Sequence, residues 1–293
     1  MRSGFVSIIG KPNAGKSTLL NCIIGEKIAA VSDKPQTTRN AISGIYTEPE
    51  LQIVFMDTPG IHKPKNKLGE FMSKEIEGAM NSVDAAVLVV DCTAREDAND
   101  EIINNLSSSK IPVFLVINKI DLVEKEQLLQ IISRYSQKMD FEAFIPISAL
   151  QKDGVDVLLC ELKNSLQEGP MYFPEDMLTD QPEKQIMAEF IREKALRCLD
   201  KEVPHGIAVE ISSFKESENG ILKIAATIYC ERKSHKGIII GKGGQMLKKI
   251  GQLSRQEAED FFGTKVFLEL WVKIKEDWRN SDIMLKNFGF TNN

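Results

Sequence analysis

Residues 10–17 read GKPNAGKS and follow the short apolar stretch FVSIIG at residues 5–10. The glycines Gly10 and Gly15, with Lys16 next to a serine, match the pattern GxxxxGK[ST], whose backbone N–H groups wrap a chain of phosphates. A strand before such a loop and a helix after it place the N-terminus of the helix at the anion. This stretch therefore predicts a strand, a phosphate-binding loop and a helix that begins near Lys16.

Apolar stretches of strand length recur along the first half of the chain. They lie at residues 51–57, 85–91, 112–119 and 143–148, and polar segments that suit helices separate them, for example residues 124–139. Strands that alternate with helices in this way are typical of a parallel sheet covered on both faces, whose strands are apolar throughout. We therefore predict an α/β domain with a doubly wound, mostly parallel sheet.

The second half of the chain has a different pattern. Three prolines interrupt residues 166–182 with no sustained apolar period, which is typical of a linker. Helical and alternating spacing then predicts a smaller α+β domain with the element order αββααβ. The segments with this spacing are residues 184–200, 206–214, 220–231, 243–262 and 265–274, and a further helical segment precedes the glycines at residues 241–244. The predicted boundaries are residues 1–167 for the first domain, 168–183 for the linker, 184–280 for the second domain and 281–293 for a C-terminal tail.

Composition indicates a folded protein of two domains rather than a membrane or disulfide-rich one. Of the 293 residues, 42 % are hydrophobic and 27 % are charged, and no apolar run approaches the ~20 residues of a membrane helix. The N-terminus runs directly into a strand and does not resemble a signal peptide. The five cysteines are far apart in sequence, so we expect reduced thiols in a cytosolic protein.

Charge is distributed unequally along the chain. Residues 181–293 contain 19 lysines and arginines against 16 aspartates and glutamates, whereas residues 1–180 contain 18 against 26, within a total net charge of −5. An acidic first part and a mildly basic second part indicate that the two domains have different binding partners.

Asp57 ends an apolar strand and begins the sequence DTPG at residues 57–60. At this position its carboxylate suits a Mg²⁺ ion next to the phosphates, with the hydroxyl of Ser17 as a second ligand. Lys16 would reach the β- and γ-phosphates, and Gly60 could offer its backbone N–H to the γ-phosphate. We predict Lys16, Asp57 and Gly60 as the catalytic residues.

A polar segment, SDKPQTTRN at residues 32–40, lies between the phosphate-binding loop and Asp57. One of its two adjacent threonines, in our interpretation Thr38, would complete the Mg²⁺ shell only when a γ-phosphate is bound, which makes the segment a switch. The alternative is a solvated loop without a metal contact. The predicted metal ligands are Ser17, Thr38 and Asp57.

Two further short motifs predict which base is bound. The sequence NKID closes the strand at residues 112–119, and the carboxylate of Asp121 can accept hydrogen bonds from N1–H and the 2-amino group of guanine, neither of which adenine has. Lys119 would pack its stem over the ring. The sequence Ser148-Ala149-Leu150 follows the last strand, where its backbone could meet the guanine carbonyl. The predicted nucleotide contacts are Gly10, Asn13, Ala14, Gly15, Lys16, Ser17, Thr18, Asp57, Thr58, Pro59, Gly60, Asn118, Lys119, Asp121, Ser148, Ala149 and Leu150.

The second domain contains GKGG at residues 241–244, between two apolar helical segments. In a KH module such a GxxG loop clamps the backbone of about four nucleotides, because glycines let phosphates approach the main chain. From Arg232 to Lys249 there are six basic and no acidic residues, which suits phosphate neutralisation; a solvated basic helix face is the alternative. The predicted RNA contacts are Lys236, Gly241, Lys242, Gly243, Gly244, Lys248 and Lys249. We expect the aromatic residues of this domain to fill its core, namely Phe261, Phe262, Phe267 and Trp271.

The motifs GKPNAGKS, QTTR, DTPG, NKID and SAL, in this order, resemble the five motifs of a translation-factor-class GTPase. Together with the C-terminal domain they resemble the bacterial Era-like GTPases, which carry a type II KH domain. The resemblance implies a P-loop GTPase fold, hydrolysis of GTP to GDP and phosphate with Mg²⁺, and binding near the 3′ end of small-subunit (16S) ribosomal RNA during maturation of the 30S precursor. It also implies a cytoplasmic monomer with peripheral contact to the inner face of the cell membrane.

The residue after DTPG is Ile61, where many GTPases have a glutamine that orients the attacking water. Era-like proteins also have an apolar residue at this point, so the resemblance implies slow hydrolysis. In related GTPases an asparagine at the position of Asn13 helps to hold K⁺ beside the phosphates, which makes K⁺ a hypothesis for this chain. The alternative function is a structural RNA-binding assembly factor that holds GTP without turning it over.

Overall fold

The computed structural model of the protein describes residues 1–34, 36–61, 64, 66–95, 98–200 and 203–290. It divides into two compact units, which do not follow the chain continuously. The first unit consists of Met1–Ala29, Thr38–Lys63 and Met72–Asp180, and the second consists of Ala30–Thr37, Pro64–Phe71 and Gln181–Asn293. The continuous domain boundaries drawn from the sequence stay a prediction.

The first unit is built on one six-stranded sheet. Its strands are β1 (Arg2–Ile9), β2 (Ile42–Glu48), β3 (Leu51–Asp57), β4 (Ala85–Asp91), β5 (Val113–Asn118) and β6 (Ala143–Pro146). The helices in this part of the sequence are α1 (Lys16–Ile24), α2 (Lys67–Asn81), α3 (Asp100–Leu106), α4 (Lys125–Ser136) and α5 (Val155–Ser165). The strand order is β2-β3-β1-β4-β5-β6, and only β2 runs antiparallel to its neighbour. The predicted α/β fold with a mostly parallel sheet is confirmed.

The central strands end together at the edge of the sheet where the sequence motifs begin. Every residue of β5 is buried, and in β4 only Asp91 is not, as expected for parallel strands covered on both faces. Because these strands are parallel, Ile8 pairs with Asp57 and Asp91 pairs with Asn118. The register therefore places the ends of four strands, and the loops after them, at one edge.

The second unit contains the predicted αββααβ module. Its elements are α6 (Glu183–Cys198), β7 (Ala208–Glu216), β8 (Leu222–Cys230), α7 (Lys233–Ile240), α8 (Gln245–Phe262) and β9 (Val266–Ile274), and a short helix α9 (Asp282–Asn287) follows. Strands β7 and β8 are antiparallel, and β9 lies parallel to β8. A core of buried side chains, including Phe190, Ile228 and Ile250, holds the helices on the sheet. Within the described part of the chain, no helix combines the length and apolar content that crossing a membrane requires.

The expectation that four aromatic residues fill the core of this module is wrong for two of them. Phe261 and Phe262 do pack against the core. Phe267 and Trp271 are 56 % and 46 % exposed. Successive residues of a strand point to opposite faces, and in β9 it is Leu268 and not its neighbour Phe267 that packs against the core.

Candidate functional site

The phosphate-binding loop joins β1 to α1 and depends on a glycine at its end. Gly15 has φ of +98°, and a Cβ atom there would lie 2.1 Å from the Nδ2 atom of Asn118, so no other residue fits without displacing that side chain. The ammonium of Lys16 donates to the carbonyl oxygens of Gly10 and Lys11 at 3.2 and 3.1 Å. Burial lowers the pKa of Lys16, and the charge of Asp57 opposes that shift. The loop thus holds a buried lysine through two of its own backbone carbonyls.

Three oxygen-bearing side chains converge next to this loop. The hydroxyl of Ser17 donates to Oδ2 of Asp57 at 2.6 Å and lies 2.8 Å from the hydroxyl of Thr38, which is 3.3 Å from the same carboxylate oxygen. The other oxygen of Asp57, Oδ1, is buried and has no hydrogen-bond partner among the described residues. Burial raises the pKa of Asp57, against the charge of Lys16 and the two hydroxyl donors.

This set of oxygens fits Mg²⁺. Two hydroxyl groups and a carboxylate are hard oxygen ligands of the kind this ion prefers, and the unpaired Oδ1 of Asp57 is a buried group that a cation would satisfy. The neighbouring Thr37 is different, because its hydroxyl donates to the carbonyl of Lys34 at 2.6 Å. Of the two adjacent threonines, Thr38 has its hydroxyl beside Ser17 and Asp57, and its role as a metal ligand stays a prediction.

The DTPG segment lies directly against the phosphate-binding loop. Thr58 is fully buried, and its hydroxyl and backbone N–H both point to the carbonyl of Ile8, at 3.0 and 3.3 Å. Its side chain thus anchors the segment to β1. A Cβ atom on Gly60 would lie 2.8 Å from the backbone nitrogen of Pro12, so a glycine is needed for this close approach. The backbone N–H of Ile61 donates to the carbonyl of Gly10 at 3.3 Å.

The base-recognition segments are tied to the phosphate-binding loop through Asn118. Its amide donates to the carbonyl of Ala14 at 2.8 Å, and its oxygen accepts from the backbone N–H of Ala149 at 3.0 Å. The hydroxyl of Ser148 donates to Oδ1 of Asp121 at 2.6 Å. Leu150 is 78 % exposed. The structure therefore brings the loop, NKID and the first two residues of SAL together through side-chain contacts.

The GKGG sequence forms the connection between α7 and α8. Gly241, Gly243 and Gly244 have φ of +74°, +58° and +80°, which side-chain-bearing residues rarely adopt. A Cβ atom on Gly241 would lie 2.9 Å from the backbone nitrogen of Met246, whereas Cβ atoms on Gly243 and Gly244 would meet nothing within 4 Å. Gly241 is thus needed for the turn, and the other two glycines leave open space above the main chain.

A groove of about 520 Å³ lies beside this loop, between α8 and β9. It is lined by Gly244, Leu247, Lys248, Gly251, Gln252, Arg255, Leu268 and Leu270. Two of the predicted RNA contacts, Gly244 and Lys248, line it. Lys242 and Lys249 are exposed, and Lys236 is half-buried, but none of these three lysines lines the groove.

Gln252 and Arg255, which line the groove, were not predicted from the sequence. A signal was present in their spacing, because positions 248, 252 and 255 lie on one face of a helix. The contribution of β9 could not be inferred in the same way, since it depends on how the strand packs beside α8.

Together these features define a class of protein: a P-loop GTPase that carries a KH domain on the same chain. A family model described as a 50S ribosome-binding GTPase matches residues 5–119, and the KH domain model matches residues 202–279. Proteins named GTPase Era from Ruminiclostridium cellulolyticum and Clostridioides difficile are 58 % and 53 % identical to this chain, and each alignment covers at least 98 % of both sequences. The chain belongs to the Era family of GTPases.

Solved Era structures are similar over the full length. A single-residue variant of Aquifex aeolicus Era bound to GDP·AlF4⁻ has 39 % identity and a TM-score of 0.95, with complete coverage of both chains. A structure of Era with MgGDPNP and nucleotides 1506–1542 of 16S ribosomal RNA gives the same identity, TM-score and coverage. The expected family, fold class and GTPase activity are therefore confirmed.

Proposed function

We propose that this GTPase hydrolyses GTP slowly, and that its KH domain binds the 3′ end region of 16S ribosomal RNA during maturation of the small ribosomal subunit. The observation that carries the hydrolysis proposal is the convergence of Ser17, Thr38 and Asp57 beside the buried ammonium of Lys16. The RNA proposal is supported by the solved complex of Era with nucleotides 1506–1542 of 16S ribosomal RNA, together with the open GKGG loop and its groove.

In the proposed mechanism a water molecule attacks the γ-phosphate directly, without a covalent intermediate. Ser17, Thr38 and Asp57 would hold Mg²⁺, which would supply positive charge beside the β- and γ-phosphates. Lys16 exchanges its two carbonyl partners for phosphate oxygens, and the backbone N–H of Gly60 donates to the γ-phosphate. Because these donors are fixed before the reaction, they stabilise the charge of the transition state without reorganising.

We propose that the base is bound by the two segments that Asn118 connects to the phosphate-binding loop, NKID and SAL. In this proposal Asp121 accepts hydrogen bonds from guanine, and the backbone of residues 148–150 meets the guanine carbonyl. The hydroxyl of Ser148 donates to the Asp121 carboxylate and restricts its orientation. An adenine in this pocket would exclude water from the Asp121 carboxylate without donating a hydrogen bond to it. The unpaired carboxylate would weaken the binding of ATP, which accounts for the selection of GTP.

In the KH domain the phosphates of a single strand pass over Gly243 and Gly244, where the main chain is open. The neighbouring groove offers Arg255 and Lys248 to phosphates, and Leu247, Leu268 and Leu270 to the faces of bases.

The small subunit is proposed although one family model is described as a 50S ribosome-binding GTPase. That model matches residues 5–119 only, whereas the Era proteins named above align over the whole chain. We also propose that the protein is a cytoplasmic monomer that makes peripheral contact with the inner face of the cell membrane.

A second function stays open because of Ile61. This side chain has no polar atom to orient water and packs against the hydrophobic core of the first unit. In the alternative, the protein is a structural RNA-binding assembly factor that binds GTP but turns it over too rarely for hydrolysis to matter to its function.

The test is single-turnover GTP hydrolysis in K⁺ buffer, with and without a short single strand that matches the 3′ end of 16S ribosomal RNA. We expect the RNA to accelerate hydrolysis, because a switch that responds to RNA must change the transition state when RNA binds. A scrambled strand of the same length is the control. Bound RNA with an unchanged and negligible rate would favour the assembly-factor alternative.

A further inference from the structure

The end of β4 contacts the base-recognition loop directly. Asp91 is the last residue of β4 and lies opposite Asn118, the last residue of β5, in the parallel register. Its carboxylate oxygen Oδ2 is 2.6 Å from the Nζ atom of Lys119, and both side chains are at most one-third exposed. The sequence motifs assign no role to Asp91, so this partly buried ion pair beside the base pocket needs an explanation of its own.

The carboxylate of Asp91 is fixed from its other side as well. Its Oδ1 atom accepts hydrogen bonds from the backbone N–H and from the hydroxyl of Thr93, at 2.8 and 2.7 Å. Burial by itself raises the pKa of Asp91, but the hydrogen bonds from Lys119 and Thr93 outweigh burial and lower it. The group is therefore an anion that the protein holds in one orientation and aims at Lys119.

Cys92, between these two residues, holds the backbone of the same loop. Its N–H donates to the carbonyl of Asn118 and its thiol donates to the carbonyl of Lys119, both at 3.0 Å. Burial raises the pKa of the Cys92 thiol, so it keeps the proton with which it donates. Lys119 has φ of +68°, a conformation that is unfavourable for a residue with a side chain. Residues 91–93 thus fix both the backbone and the side chain of Lys119.

Holding the ammonium of a lysine has a consequence for the rest of its side chain. A free lysine stem samples many rotamers, and pressing it against a flat base costs that freedom. Because Asp91 fixes Nζ before a nucleotide arrives, part of the ordering cost is removed from the binding step. The effect should be the same for GDP and GTP, since the base is common to both and the γ-phosphate is remote from it.

We propose that Asp91 is a positioning residue that sets guanine-nucleotide affinity by holding Lys119 in place, with Thr93 and Cys92 as its supports. The inference rests on the proposed role of Lys119 over the base. It concerns binding of the base and leaves the hydrolysis step to the phosphate and metal site.

The first experiment measures dissociation constants of GDP and a non-hydrolysable GTP analogue for Asp91→Asn. This variant keeps an acceptor for Thr93 and removes the charge that holds Lys119. We expect both constants to rise by the same factor, about 10-fold, with the single-turnover rate constant at saturating GTP unchanged within about twofold. The matched control is Asp100→Asn, which breaks the Asp100–Lys138 ion pair elsewhere in the same unit and should leave both constants unchanged.

A double-mutant cycle separates positioning from a general effect on the fold. Lys119→Met keeps the apolar stem and removes the ammonium, and it should weaken GDP binding about as much as Asp91→Asn does. In the Lys119→Met background Asp91→Asn should have no further effect, because its partner is already gone. An equal loss in both backgrounds would overturn the inference. Loss for Lys119→Met with none for Asp91→Asn would also overturn it, whereas no loss for Lys119→Met would refute the proposed role of Lys119 over the base.

Discussion

At the residue scale, the proposed selection of guanine depends on one carboxylate, that of Asp121. The Ser148 hydroxyl donates to Oδ1 of Asp121 at 2.6 Å, which restricts the orientation of the carboxylate. In Asp121→Asn one acceptor becomes a donor, which suits the 2-carbonyl of xanthine instead of the 2-amino group of guanine. We expect GTP affinity to fall by at least about 100-fold and XTP affinity to rise. Competition binding with both nucleotides measures this, and Asp156→Asn on the exposed start of α5 is the control. Unchanged GTP binding would contradict the assignment.

Asn13 provides a second prediction at this scale. It lies in the phosphate-binding loop with φ of +64°. If its side chain helps to hold K⁺ beside the phosphates, that cation adds positive charge where the transition state needs it. We expect hydrolysis to be faster in K⁺ than in Na⁺, by about 10-fold or more, and Asn13→Ala to remove the difference while GDP affinity changes little. Equal wild-type rates in the two salts would refute a role for K⁺.

Among the elements, α6 is unusual because it buries consecutive charged residues. Arg192, Glu193 and Lys194 are all buried, and Glu193 is 0 % exposed. The carboxylate of Glu193 accepts from the backbone N–H of Val31 at 2.9 Å, and it lies 3.1 Å from the side-chain nitrogens of both Lys194 and Arg197. A buried charge is tolerated only when it is paired in this way. The network thus ties segment 30–37 to α6 inside the second unit.

Glu193→Gln should destabilise the second unit by about 3 kcal/mol, since removing one member of a buried ion pair leaves the others without compensation. The two tryptophans of the chain, Trp271 and Trp278, both belong to this unit. Their fluorescence during urea unfolding therefore reports on this unit alone. Glu218→Gln, in the exposed turn between β7 and β8, is the matched control and should change the stability by less than about 0.5 kcal/mol. Equal unfolding midpoints for all three proteins would contradict the prediction.

Elements with one strong apolar signal could be predicted from the sequence. The stretches at residues 51–57 and 85–91 have the same bounds as β3 and β4. Strand β2 was not predicted, because it is an edge strand of mixed polarity that pairs antiparallel with β3. Helix α9 was not predicted either, since it has only six residues and begins at a serine cap.

The candidate sites were predictable where a motif is local in sequence. The phosphate-binding loop and GKGG were recognisable because their glycines serve backbone conformations that few other residues adopt. Asp91 was not recognisable, since its role depends on a neighbouring strand that the sequence alone does not place beside it. The exposure of Phe267 and Trp271 was missed because alternation does not indicate which face of a sheet is covered.

On the scale of the whole molecule, the distribution of charge determines where RNA can bind. The chain has a net charge of −5, so it repels a polyanion on average, and RNA binding must depend on a local patch. The six basic residues between positions 232 and 249, around the GKGG loop, form a run that no acidic residue interrupts. Binding through such a patch releases counterions from the RNA and therefore weakens steeply as salt concentration rises.

The salt dependence can separate this local patch from the overall charge. If Lys248 and Lys249 each neutralise one phosphate, replacing both with alanine should reduce the slope of log K against log salt by about 1.4, because each single-strand contact contributes about 0.7. Lys215 and Lys223 are exposed, pair with each other across β7 and β8, and do not line the groove, so the double alanine variant of these two is the control for the same change in net charge. We expect its slope to equal that of the unmodified protein. Equal reductions in both double variants would mean that RNA responds to total charge rather than to the surface beside the GKGG loop, and the proposed RNA site would then have to be abandoned.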